Sequence, residues 1–174
     1  MVAQRKEKWT AQKFLEWSTR QERRYELENG EIIEMAAEKA RHALMKHAAT
    51  SALQASIAAC HARAARGEDT DWQRIAAIYD ALAQVAPSPV VELNRAVAVS
   101  MAFGPAAGLE IIDAVRGEKA LRNYHWLPSV RADLLQKLGR DDEARTDLEQ
   151  ALALTANSRE RELLRERLAK LVKP

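Results

Sequence analysis

Three glycines recur along this chain at nearly even intervals. Gly67, Gly104 and Gly139 each follow an apolar helical run, and they lie 37 and 35 residues apart. A repeat of roughly 34 to 47 residues is typical of proteins built from stacked helix pairs. The spacing therefore predicts a helical-repeat body over residues 52–174. Scaffolds of this type mostly bind other molecules and rarely catalyse reactions.

The composition favours the same fold class. Hydrophobic residues make up 47% of the chain and charged residues 30%, which are values typical of globular proteins. The six glycines and five prolines are few for a protein rich in tight β-turns. The sequence predicts a mainly α protein, formed by a tetratricopeptide-like stack of helical hairpins.

Apolar periodicity predicts where the helices lie. We expect a helix from about residue 38 to residue 66 and six more at 72–85, 90–103, 106–116, 125–138, 141–154 and 159–171. Pairing them around the glycines gives hairpins near 52–86, 89–117 and 124–156, with the charged last helix as a cap. In the third hairpin, Leu138-Gly139 followed by Ala144, Leu148 and Ala151 matches the tetratricopeptide pattern.

The first fifty residues do not share this period. Thr10 is a helix N-cap candidate ahead of the amphipathic pattern of Phe14, Leu15 and Trp17. Further on, Asn29-Gly30 is the preferred residue pair for a tight β-hairpin turn. The sequence therefore predicts two domains, a helix and β-hairpin over residues 1–51 and the helical repeats over residues 52–174.

Charge and apolar content exclude several classes of protein. Residues 1–50 carry ten basic and eight acidic side chains, and residues 51–174 carry seventeen of each. Because a basic excess is missing, nucleic-acid binding by this chain alone is not expected. No stretch approaches the roughly 18 apolar residues of a membrane span, and no signal-peptide pattern opens the chain. We expect no membrane association and a cytoplasmic location.

The chain has a single cysteine, Cys60. We expect it to be a buried small hydrophobic residue rather than part of a disulfide or a metal cluster.

Residues 53–170 resemble the C-terminal extension of a group of extracytoplasmic-function RNA polymerase sigma factors. Five segments carry the resemblance: 53–62, 69–72, 88–98, 104–108 and 124–131. The resemblance implies a tetratricopeptide-like domain that follows the promoter-reading domains. No segment of this chain resembles those promoter-reading domains, so autonomous promoter recognition is not expected.

Residues 5–52 resemble the start of the Uma2 family of restriction-endonuclease-like proteins. The resemblance is carried by Thr10 with Phe14-Leu15 and Trp17, by Arg24 to Leu27 with Gly30-Glu31, by Met35-Ala36, and by Arg41-His42-Ala43 with Lys46. It implies metal-dependent phosphodiester hydrolysis through a Pro-Asp pair and a following Glu-x-Lys. Because the chain contains no Pro-Asp pair, we expect no catalytic residue and no cofactor.

Two groups of residues are candidate metal ligands. His42 and His47 lie five residues apart, which places them on different sides of a helix rather than at the i, i+4 spacing of metal ligands. Carboxylates alternate along the predicted hairpin at Glu26, Glu28, Glu31 and Glu34, but no further ligand accompanies them. A solvated strand face is the favoured interpretation. The sequence predicts no metal site.

A polar groove is the remaining candidate site. Asn94 lies ten residues before Gly104. The equivalent positions before Gly67 and Gly139 are Ile57 and Ser129, and His61 and Asp133 follow one helical turn later. In helical repeats such positions often face the concave surface, so His61, Asn94 and Asp133 form a candidate partner groove. Hydrogen bonding between hairpins is the favoured use of Asn94.

Three hypotheses on function stay open. The leading one is a non-catalytic protein-interaction module linked to transcription, whose partner is a protein such as RNA polymerase or a regulator. The alternatives are a metal-dependent DNA endonuclease and a recombinant gene fragment without an evolved function. The sequence names no specific partner and no oligomeric state.

Overall fold

The predicted fold class is confirmed. The computed structural model describes residues 9–21, 23–34 and 37–171, and Met35 and Ala36 lie outside this set. The described residues are mainly helical, with one two-stranded antiparallel sheet. In chain order the elements are α1 (Ala11–Ser18), β1 (Tyr25–Glu28), β2 (Glu31–Glu34), α2 (Ala37–Arg63), α3 (Trp72–Val85), α4 (Pro89–Phe103), α5 (Pro105–Val115), α6 (Trp126–Lys137), α7 (Asp141–Leu154) and α8 (Ser158–Leu171).

The chain separates into two compact units. One ends at Ala49 and the other begins at Thr50. Each unit is described in turn.

In the first unit, α1 begins at the predicted cap. The Thr10 hydroxyl oxygen accepts a hydrogen bond from the Lys13 backbone N–H at 3.3 Å, which satisfies one of the free amides of the first turn. The Trp17 ring meets the Tyr25 ring at a centroid distance of 4.8 Å in an edge arrangement, a favourable geometry for aromatic pairs. These aromatic contacts hold α1 against β1.

The hairpin turn also forms as predicted. Asn29 and Gly30 both have positive φ, 51° and 84°, which a type I′ turn requires at its two central residues. The register pairs Glu28 with Glu31 and Tyr25 with Glu34. Among the described side chains of this unit none is buried. This unit therefore has little core of its own. A two-stranded hairpin without such a core is only marginally stable.

The second unit is a sequential stack of helices. From α3 to α8 each helix packs on the next, and α4 also contacts α6. Two apolar clusters fill the stack. The first joins α2, α3 and α4 through Ile57, Cys60, Ile75, Ala76, Leu82 and Ala98. The second and larger cluster runs from α4 to α8 and includes Leu93, Ile112, Leu121, Leu134, Leu135, Leu148 and Leu164. The predicted packing positions Ala144, Leu148 and Ala151 are fully buried, and Cys60 is buried as expected.

The three evenly spaced glycines end their helices in different ways. Gly139 has φ 72°, and the amides of Gly139 and Arg140 donate to the carbonyls of Gln136 and Leu135, which is a Schellman cap. Gly104 has φ 99° and is the single residue between α4 and α5.

Gly67 is a different case, because α2 ends at Arg63 and not at residue 66 as predicted. Arg66 is extended, and Gly67 opens a short 3₁₀ turn, Gly67–Asp69. The helix therefore ends before Gly67, and Gly67 is not its C-cap.

Gly108 allows α4 and α5 to approach closely. The Cβ of a larger residue at this position would lie 2.5 Å from the Ser100 Cβ and 2.7 Å from the Ala96 carbonyl oxygen. Both distances are far below van der Waals contact, and one of the two atoms belongs to the backbone. The absence of a side chain at Gly108 therefore sets the spacing of this helix pair.

We expect Gly108→Ala to destabilise the protein by about 1–3 kcal/mol, because overpacking of this size outweighs the gain in helix propensity. Gly117→Ala is the matched control, since a Cβ there meets no atom within 4 Å. Urea unfolding followed by circular dichroism measures both changes. Equal unfolding midpoints for the two variants would contradict the close approach.

Candidate functional site

A groove lies between α4 and α6 and reaches α8. Its cavity has a volume of about 240 Å³. The lining residues are Val97, Ser100 and Met101 from α4, Trp126, Ser129, Val130, Asp133, Leu134 and Lys137 from α6, and Arg167 from α8. The positions on α4 and α6 follow spacings of three and four residues, so each helix contributes one continuous face. We call this surface the α4–α6 groove.

The apolar part of the groove is open to solvent. Trp126 is 48% exposed and Met101 is 47% exposed. Large apolar side chains grouped on a surface mark interaction sites more often than singly exposed ones do. Tryptophan and methionine are also enriched in the centres of protein interfaces.

The other end of the α4–α6 groove carries charge. The Asp133 carboxylate lies 2.8 Å from the Lys137 ammonium and 3.9 Å from the Arg167 guanidinium. Arg167 also donates a hydrogen bond to the Gln136 side-chain oxygen at 2.6 Å. With two cations and one carboxylate, this end is positive on balance.

The structure places the three predicted groove residues differently. Asp133 lines the α4–α6 groove. Asn94 is exposed one turn before Val97 on α4, so it extends the same helix face beyond the cavity lining. His61 is exposed on α2, where its ring meets the Trp72 ring at 5.3 Å. A shared partner surface for His61, Asn94 and Asp133 stays a prediction.

The opposite face of α6 carries a buried ion network. The Arg131 side chain donates hydrogen bonds to Asp113 of α5 and to Asp147 of α7, both at 2.7 Å. Arg131 and Asp147 are each only 8% exposed. Burial disfavours the charged guanidinium, but the hydrogen bonds and negative charge of the two aspartates outweigh it and raise the pKa of Arg131. Arg131 therefore stays protonated and links three helices.

Sequence reasoning missed both the network and the apolar groove wall. Signals for each are present in the sequence. Arg131 and Asp147 occupy apolar core positions of their helices, one turn from Leu127 and from Ala144 respectively. A charged residue at such a position needs a buried partner. Trp126 begins the stripe that continues at Val130 and Asp133, which is the helix face that became the groove wall.

The hairpin carboxylates do not converge on one point. Since neighbouring residues of a strand alternate between faces, the register places Glu26, Glu28 and Glu31 on one face and Glu34 on the other. Glu26 pairs with Lys39 at 2.8 Å, and Glu34 pairs with Arg23 at 2.7 Å. Within the described part of the chain, no three His, Cys, Asp or Glu side chains are arranged to hold a metal ion. Among those residues, no helix is both long and apolar enough to cross a bilayer.

The chain is similar to a protein of known sequence. The chain is 48% identical over 116 residues to an uncharacterized protein of Rhizobium meliloti (strain 1021). The match covers 67% of this chain but only 27% of that protein. No protein-family model matches the chain. No solved structure matches it either.

We expect Arg131→Met to lower the free energy of unfolding by about 3–5 kcal/mol, because it leaves the buried Asp147 charge without its partner. The exposed Arg116, 3.8 Å from the same Asp113, provides the matched control, and Arg116→Met should cost at most about 1 kcal/mol. Adding Asp147→Leu to Arg131→Met should restore part of the loss. Chemical denaturation measures all three, and equal costs for the two single variants would rule out the network.

Proposed function

We propose that the helical unit is a non-catalytic protein-interaction module connected to sigma-factor-dependent transcription. The α4–α6 groove is the observation that supports the interaction role in this proposal. It combines exposed apolar side chains, Trp126 and Met101, with a positive end at Lys137 and Arg167.

The chemistry of the groove suits a polypeptide ligand. Interfaces between proteins draw most of their affinity from a few aromatic or arginine anchors inside a polar rim. Here Trp126 and Met101 provide the apolar anchors, and the ion pair of Asp133 with Lys137 provides a polar boundary. The positive end favours a partner with an acidic side chain next to an apolar one.

The link to transcription is supported by the sequence resemblance alone. Residues 53–170 resemble the C-terminal, tetratricopeptide-like extension of extracytoplasmic-function sigma factors. The stacked helices fit that resemblance in fold class. The Rhizobium meliloti relative is much longer than the matched region, which is compatible with a module that also occurs inside larger chains.

The test is affinity capture on the purified chain, with mass spectrometry aimed at RNA polymerase subunits and their regulators. We expect the double variant Trp126→Ala with Met101→Ala to bind the partner at least about tenfold more weakly, and therefore to capture less of it. A tenfold loss of affinity corresponds to roughly 1.4 kcal/mol of binding free energy. The matched control is Leu163→Ala on α8, since Leu163 is 58% exposed and does not line the groove.

Asn94→Ala together with Asp133→Ala tests the predicted polar residues in the same assay. Retention that is equal for wild type and the Trp126–Met101 variant would remove the groove from the proposal. Capture of a partner unrelated to transcription would remove the link to sigma factors and leave the interaction module standing.

A further inference from the structure

A second groove runs along the outer edge of β1 in the first unit. Its volume is about 640 Å³. One wall is formed by Ala11, Phe14 and Leu15 of α1, and the groove also reaches Lys39. All four residues of β1 line it and no residue of β2 does. The groove therefore follows the edge of the sheet that faces away from β2. We call it the β1 edge groove.

Within the described part of the chain, the backbone along this edge is unpaired. In a β-turn the carbonyl of the first residue accepts from the amide of the fourth, here Glu28 and Glu31, and bonded pairs then alternate along the ladder. Glu26 and Glu28 therefore bond across the hairpin, whereas the backbone groups of Tyr25 and Leu27 point outward. No backbone hydrogen bond from the described residues outside the sheet reaches those outward groups.

The two faces of β1 carry different side chains, aromatic and apolar on one face and acidic on the other. Tyr25 and Leu27 share the face where the Tyr25 ring packs on α1. Glu26 and Glu28 share the other face. Lys39 is paired with Glu26, and its charge also attracts Glu28 more weakly. Glu28 lies directly across from Glu31, and two like charges in that position destabilise a strand pair. A second cation next to Glu28 would therefore be favourable.

We propose that the β1 edge groove binds an extended segment of a partner protein in which basic and apolar residues alternate. The segment adds a third strand to the sheet and pairs with the backbone of Tyr25 and Leu27. Its apolar side chains occupy the groove next to Phe14 and Leu15, and a lysine or arginine faces Glu28. The alternation is required because successive side chains of a strand point to opposite faces.

A second copy of this chain fits the edge poorly. Pairing β1 with β1 of another copy would bring the carboxylates of Glu26 and Glu28 against their own counterparts. Like charges across a strand pair oppose association. Charge complementarity thus favours a basic segment over self-association.

The experiment measures binding of fluorescent hexapeptides to the full chain by polarisation. The probe alternates lysine and valine. One control peptide alternates glutamate and valine, and a second has the lysines and valines in two blocks, so that only its periodicity differs. We expect saturable binding of the alternating basic peptide, at least about tenfold tighter than of either control, and weakened by added salt.

Two variants with matched controls locate the site. Leu15 is 62% exposed, so Leu15→Glu should leave the fold intact and weaken binding at least about tenfold. Its control is Leu163→Glu, at a position of similar exposure on α8. Glu28→Lys should abolish the preference for the basic peptide, whereas Glu149→Lys, at an exposed position of α7, makes the same change in net charge and should not.

Amide hydrogen exchange by NMR tests strand addition directly. With the alternating peptide bound, the Tyr25 and Leu27 amides should exchange at least about tenfold more slowly, while the already bonded Glu26 and Glu28 amides change little. The proposal is overturned if the peptides bind equally, if Leu15→Glu binds like Leu163→Glu, or if the Tyr25 and Leu27 amides gain no protection. A peptide-sensitive dimer in sedimentation equilibrium would assign the edge to a second copy and also overturn it.

Discussion

The orientation of α6 depends on one buried guanidinium. Arg131 donates hydrogen bonds to Asp113 of α5 and to Asp147 of α7, so it links α6 to both of these helices. A buried charge without a partner is costly, which leaves α6 little freedom to rotate. Residues two positions apart on a helix point in nearly opposite directions. Since Arg131 faces α5 and α7, Asp133 must face the α4–α6 groove.

Both candidate binding surfaces arise where regular structure leaves a partner position unfilled. In the helical unit, the face of α6 that begins at Trp126 borders the α4–α6 groove and leaves Trp126 half-exposed, whereas the opposite face is buried. In the first unit, one edge of β1 pairs with β2, and no described residue pairs with the backbone of the other edge. Helices and strands have two or more faces, and these units bury only some of them. The two surfaces differ in chemistry, because the helical groove is positive at one end and the strand edge is acidic.

Local signals predicted most of the secondary structure. The bounds of α3 and α7 agree with the apolar periodicity, and the Asn29-Gly30 turn and the Thr10 cap form as expected. These features depend on a few neighbouring residues, so the sequence is sufficient for them. Gly67 misled the prediction of the end of α2, because a glycine permits a helix to stop but does not force it to stop there. The helix had already ended at Arg63.

The sequence by itself determined that the chain is a stack of helices preceded by a helix and hairpin, because periodicity, caps and turn residues are local properties. It also singled out Asp133, which lines the α4–α6 groove. Only the tertiary structure decided which residues meet across helices. The joining of Arg131 to Asp113 and Asp147, the wall formed by Trp126 and Met101, and the open edge of β1 each involve elements distant in sequence. Local patterns indicate that Arg131 needs a buried partner, but how the helices and strands pack decides which residues meet.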